Sequence, residues 1–148
     1  MSTHAQNYNF NWQTPADDTF KRFLQGILNA YHETAYPAMK VPQSKKFVLQ
    51  VTDAQGIVVG GALFWAYWGW VDVTLVALQK EARGRGLGRR LMAAIEQKAR
   101  EENCSRLRVE CFGNEVGFYQ KMGYRIVGQL DDYPVGHSYY WMRKDLQF

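Results

Sequence analysis

Apolar residues recur at helical spacing through Phe20, Phe23, Leu24, Ile27, Leu28 and Tyr31, which predicts an amphipathic helix near the start of the chain. Thr14-Pro15-Ala16-Asp17 marks its beginning, with Thr14 as N-cap, Pro15 as first helical residue and Asp17 as capping-box partner. Pro37 and Pro42 interrupt any continuation. The period then shortens. Residues 47–51 read as a strand, Asp53-Ala54-Gln55-Gly56 as a turn, and 57–66 as the hairpin partner. Trp70–Leu78 is a third strand. Past a tight turn at Gly84 and Gly86, Leu87, Leu91, Ala94, Ile95 and Ala99 share one face of a helix ending near Asn103. Arg106–Phe112 alternates Arg106, Arg108 and Glu110 with Leu107, Val109 and Cys111, as a half-buried strand does. Asn114 precedes a short helix through Met122, with Gly123 as its stop. Residues 124–130 and 139–144 close the chain as strands, with Pro134 and Gly136 between them. This order predicts a mixed α/β layered fold in a single domain, residues 1–148.

Composition narrows the picture little. Of 148 residues, 47% are hydrophobic and 22% charged, which argues against disorder beyond the first few residues. The run 57–78 carries only one charge, Asp72. Its three Gly, three Trp and many β-branched residues suit two buried strands broken around 67–69 better than a membrane helix. Cys104 and Cys111 make no disulfide framework and no metal spacing, so no metal is expected. With a polar N-terminus that lacks a signal core, they suit a reducing, cytoplasmic setting. The net charge of +4 mildly favours anionic partners, and Arg83, Arg85, Arg89 and Arg90 concentrate it for a local anion.

That cluster sits in Arg83-Gly84-Arg85-Gly86-Leu87-Gly88, which follows a strand and opens a helix. The first amides of a helix lack intrahelical partners and stand at its positive end. Glycines let the backbone approach a phosphate, and arginines add charged hydrogen bonds. The P-loop pattern fails at Leu87-Gly88-Arg89, and the dinucleotide fingerprint fails because Arg89 replaces its third glycine.

The run 76–92 resembles the central motif of the GNAT acetyltransferases, Arg/Gln-x-x-Gly-x-Gly/Ala, through Arg83, Gly86 and Gly88. Gly117-Phe118-Tyr119-Gln120-Lys121-Met122-Gly123-Tyr124 resembles the family's second motif. The resemblance covers most of the chain and implies a GNAT-type α/β fold. Its mostly antiparallel sheet would splay between the family's fourth and fifth strands, here Trp70–Leu78 and Arg106–Phe112, opened by a bulge. It implies acetyl-coenzyme A as cosubstrate, with pyrophosphate on Arg83, Gly84, Arg85, Gly86, Leu87, Gly88 and Arg89. Val76, Ala77 and Leu78 would offer strand-edge groups to the pantetheine arm, and Asn114 and Tyr119 would border it. An amide near Leu78 would polarise the thioester.

The same resemblance implies direct attack by a primary amine in a ternary complex. Tyr119 matches the family's general acid, and Asp72 its strand carboxylate base. Asp72 and Leu78 are an even number of residues apart, so a regular strand places them on one face. Asn114 also reads as a plain N-cap. A cysteine nucleophile with His32 or His137 lacks any local signature. Tyr31, His32, Tyr36, Trp68, Tyr133 and His137 are the candidate acceptor residues, and Asp131 and Asp132 are possible cation contacts. The acceptor is a small-molecule or peptide amine. No membrane partner is expected, nucleic acid is disfavoured, and a homodimer is a family habit. Two other readings stay open here: an acyl-coenzyme A sensor without turnover, and a nucleic-acid-binding domain using the arginine cluster.

Overall fold

The helical stripe forms α1, Thr19–Ala35. It begins later than the cap signal predicts. Asp17 Oδ1 accepts from the Thr19 amide at 2.8 Å, so the acid closes a turn ahead of the helix and Asp18 takes the cap position. The computed structural model describes residues 8–14, 16–37 and 44–148, and Pro15 and Pro42 lie outside them. The chain divides into two units, 1–41 and 42–148. No residue of α1 is buried, and its apolar stripe from Phe20 to Tyr31 is exposed.

The second unit holds β1 (Lys45–Thr52), β2 (Val58–Tyr67), β3 (Trp70–Leu78), α2 (Leu87–Glu101), β4 (Arg106–Phe112), α3 (Gly113–Lys121), β5 (Arg125–Leu130) and β6 (Tyr139–Asp145). The run 57–78 is therefore the β2–β3 hairpin, and no helix among the described residues is long and apolar enough to cross a membrane. The six strands order as β1-β2-β3-β4-β6-β5. Only β3 and β4 run parallel, with α2 in the crossover between them. Every other neighbour pair is antiparallel.

The alternation in β4 has the expected meaning. Leu107, Val109 and Cys111 are buried, with Phe64 and Ala66 of β2, Val71 and Val73 of β3, and Met142 of β6. α2 covers this face with Leu91, Met92, Ile95 and Ala99. Met92 takes the place expected of Ala94, which is exposed: the buried stripe lies one residue round the helix. α2 ends as Asn103 enters the left-handed region (φ 57°) and the Cys104 amide returns to Ala99 O at 2.8 Å. α3 ends likewise at Gly123, with the Tyr124 amide on Tyr119 O.

One irregularity organises the sheet. Leu63 pairs with Leu75, but Phe64 pairs with Val73, so Thr74 is an extra residue in β3. The β3–β4 ladder stops at the same level, at Val73 opposite Val109. Beyond it the β4-facing edge of β3, residues 74–78, is unpaired. A bulge bends its strand and raises the local twist, so the parallel pair opens into a gap. It lies between the third and fourth described strands. The resemblance implies fourth and fifth, which counts a strand that the described residues do not contain.

Candidate active site

Three pieces converge where β3 and β4 separate. The first is the turn after β3. Gly84 and Gly86 have φ of 73° and 75°, a left-handed conformation that glycine takes without strain. Gly86 caps α2 without a side-chain bond. Among the described residues no acceptor meets the amides of Leu87, Gly88 and Arg89, and the first backbone bond of the helix runs from Arg90 N to Gly86 O at 3.1 Å. Three parallel donors at a positive helix end fit a diphosphate. Arg83 Nε donates to Leu78 O at 3.0 Å and ties the turn to the end of β3, while Arg85 and Arg89 are exposed. The free edge over Val76, Ala77 and Leu78 suits an extended amide-bearing arm. These features fit coenzyme A.

The second piece is α3. Its start differs from the expectation: Gly113 is the first helical residue, and Glu115 Oε2 accepts from the Phe112 amide at 3.0 Å. Asn114 is inside the first turn and exposed, so it is not the N-cap. The acidic side chain reaching back displaces it from that role. Phe118 packs towards α2, where a Cβ added to Gly88 would lie 3.2 Å from Phe118 Cζ. Gly88 therefore serves helix-to-helix approach. Tyr119 is 8% exposed, edge-on to Phe118 and Tyr124 at 5.1 and 5.5 Å between ring centres. Burial pushes its phenol up to about 12, with Cys111 and Glu115 adding to the rise, so Tyr119 keeps its proton at neutral pH.

The third piece is the open face of the sheet. Asp72 Oδ2 accepts from Tyr67 Oη at 3.1 Å and from Arg108 Nη2 at 3.0 Å. The Asp72 hydrogen bond raises the Arg108 pKa, and burial with Asp72 raises that of Tyr67. Val71 and Val73 belong to the core, and Val76 and Leu78, partly buried, pack against it, because Thr74 reverses the alternation. The even spacing of Asp72 and Leu78 therefore puts them on opposite faces of the bulged strand. Further along β4, Glu110 accepts from Tyr139 Oη at 3.0 Å and Trp141 Nε1 at 3.1 Å, and lies 3.5 Å from Arg108. Burial and the Glu110 bond push Tyr139 up to about 12.

Within the second unit the predicted acceptor residues do not gather in one place. Tyr31, His32 and Tyr36 lie on or just past α1, in the first unit, with their rings in sequence contact. Trp68, in the β2–β3 turn, is at the Trp70–Arg106 end of the parallel pair. The gap is at the other end, so Trp68 is about six strand residues, roughly 20 Å, from Phe112. Tyr133 is at the gap end and packs on Tyr139 at 5.2 Å. His137 closes the same loop by its backbone, donating to Pro134 O and accepting from Tyr133 N. Asp131 accepts from Gln129 and Ser138, and Asp132 from the Gly136 amide, so both loop acids are engaged within the loop. Sequence reasoning passed over Arg108, Glu110, Tyr139 and Trp141. Two charged residues facing out from a strand bordering the predicted gap were the available signal.

The thiols are inert. Cys104 and Cys111 are free and buried, and burial pushes Cys111 up to about 11, where little thiolate exists at neutral pH. No group of three or more metal-binding side chains exists among the described residues.

A glycine turn with free amides at the head of a helix, beside a strand leaving its parallel neighbour, defines an acyl-coenzyme A-binding fold. The profile of the Acetyltransferase (GNAT) family matches residues 4–124, and the chain belongs to that family. It is an acetyltransferase, with acetyl-coenzyme A as cosubstrate. It is 35% identical over 112 residues to the Blasticidin-S acetyltransferase of Streptomyces morookaense, covering 74% of this chain and 82% of that one. In fold it resembles an acetyltransferase from Bacillus cereus (TM-score 0.81, 23% identity, 92% of this chain and 98% of the other). It also resembles a GNAT family acetyltransferase from Elizabethkingia anophelis solved with acetyl-CoA bound (TM-score 0.56, 15% identity, 64% and 72% covered).

Proposed function

We propose that this enzyme acetylates the primary amine of a small cationic molecule by direct transfer within a ternary complex. The observation that carries this reading is the coincidence of the Thr74 bulge, the end of the β3–β4 ladder and the free amides of Leu87, Gly88 and Arg89. The profile match spans residues from both units, which supports reading the chain as one acetyltransferase domain. The Streptomyces relative supports a small-molecule amine as acceptor. Two buried free thiols suit a reducing cytoplasm.

Acetyl-coenzyme A supplies a thioester already activated towards amines, so no protein nucleophile is needed. The turn amides and Arg85 and Arg89 hold the diphosphate, and the 76–78 edge aligns the arm. Holding both reactants in line contributes several kcal/mol to lowering the barrier. Tyr119 presents its proton to the departing sulfur. A phenol near 12 opposite a thiol near 8.5 acts more by a hydrogen bond than by full proton transfer. Asp72 takes the ammonium proton, directly or through water, through Oδ1, since both of its hydrogen bonds fall on Oδ2.

The test follows free thiol when acetyl-coenzyme A is mixed with blasticidin S, spermidine or a lysine peptide. Thiol release with a cationic small molecule is the expected result. Cofactor binding without release for any amine makes the chain a sensor and ends the reading. Release with the peptide alone ends its small-molecule part.

A further inference from the structure

The geometry points to Glu110 as the specificity-determining carboxylate of the acceptor site, binding an ammonium or guanidinium group of a substrate that also carries a flat or apolar part. This rests on the transferase reading above and deepens it. Glu110 is the first residue of β4 past the last β3–β4 pairing, so it stands at the root of the gap, on the face opposite buried Val109 and Cys111. Two neutral donors fix its carboxylate: Tyr139 Oη on Oε2 and Trp141 Nε1 on Oε1. Neutral donors orient a carboxylate without adding a compensating positive charge. Among the described residues its cationic neighbour is Arg108, which lies closer to Asp72 (3.0 Å) than to Glu110 (3.5 Å).

The surroundings are aromatic. Phe112 and Tyr133 meet the Tyr139 ring at 4.9 and 5.2 Å, and Trp141 meets it edge-on at 6.1 Å. Phe112 and Tyr133 are 41% and 53% exposed, so their rings are free to receive a ligand. A fixed negative charge beside aromatic faces attracts a cation twice, by Coulomb attraction and by the ring quadrupoles. Among the described residues the other acids near the gap are already engaged: Asp72 has its charge balanced by Arg108, which leaves Oδ1 as a proton acceptor and not an anchor for a permanent cation, Glu115 accepts from the Phe112 amide, and Asp131 and Asp132 are bonded within their loop. Asp145, at the far end of β6, faces Arg106, Arg125 and Arg143.

The experiment titrates blasticidin S and agmatine calorimetrically into protein saturated with coenzyme A, for wild type, E110Q and E110D. Binding of both probes to wild type, weakened at least tenfold by E110Q and less by E110D, is expected. Coenzyme A affinity within twofold of wild type confirms that each variant is folded. Equal probe affinity in wild type and E110Q overturns the assignment, as does failure of both probes to bind wild type. Should E110Q lose coenzyme A binding, E110D decides in its place: probe binding weakened at least threefold supports the assignment, and unchanged binding overturns it. None of these readouts needs turnover, so an enzyme inactive on every amine would end the proposed function while leaving this test intact. With any acceptor that is acetylated, the E110Q loss falls on KM for the acceptor. A loss in kcat at unchanged KM would make Glu110 a base and not a binding group.

Discussion

The proposed cofactor side and the proposed acceptor side of the gap are made of different materials. The first is built from backbone: amides of Leu87, Gly88 and Arg89, a left-handed Gly86 and a bare strand edge. The second is built from side chains: Glu110, Tyr139 and Trp141 on two strands, with Tyr133 on a loop. Main-chain groups bind what every member of such a family must bind, because they survive most side-chain changes. Side chains bind what can differ. The comparison teaches that one fold can keep its donor constant while its acceptor varies.

The harshest test of this division removes what both sides share. Ile95 is wholly buried beneath the sheet, and Ile95→Ala should cost about 2–5 kcal/mol in urea denaturation, while coenzyme A and acceptor affinities of the folded fraction stay close to wild type. A selective loss of either affinity would show that the core tunes one side. Next, Gly86→Val should weaken coenzyme A binding by about two orders of magnitude, near 2.7 kcal/mol by calorimetry. A valine Cβ meets no atom within 4 Å there, but φ of 75° is strained for a β-branched residue. The fold should survive, and unchanged affinity would remove the diphosphate from this turn. Tyr119→Phe should lower kcat about tenfold or more with acceptor KM unchanged, as measured by thiol release.

The smallest effect concerns alkaline pH. Tyr119 and Cys111 are raised from 10.0 and 9.0 to about 12 and about 11. Between the ordinary and raised values the folded chain keeps protons that the unfolded chain has lost, so stability falls as pH rises. Denaturation midpoints should be flat from pH 7 to about 8.5 and fall above it, with a shallower fall in Tyr119→Phe. A flat profile to pH 11 would place both groups in more solvated surroundings.

The two sides were also unequally legible. β3 has the limits expected from its β-branched, nearly uncharged run and β4 those expected from alternation, and the glycine turn announces itself because few residues tolerate positive φ. The resemblance implies a bulge but not its place: a bulge residue such as Thr74 has no side-chain signature, and simple parity across it puts Asp72 and Leu78 on one face. Glu110 escaped because its partners are 29 and 31 residues away, joined only by the β4–β6 register. Asn114 misled because a later Glu115 does the capping. Trp68 misled because an aromatic in a turn says nothing about which end of a sheet that turn occupies.

The extra threonine makes one ribbon serve two masters. Upstream of it, odd-numbered residues of β3 feed the interior; downstream, even-numbered ones do. Chain length in this stretch is consequently a coded quantity. Losing a single residue there would restore uninterrupted parity, let the parallel neighbours zip together and seal the crevice, whereas swapping the threonine for another small polar residue should pass unnoticed. Lineages descending from this sequence should thus vary in what they write at that position far more readily than in how many letters they use.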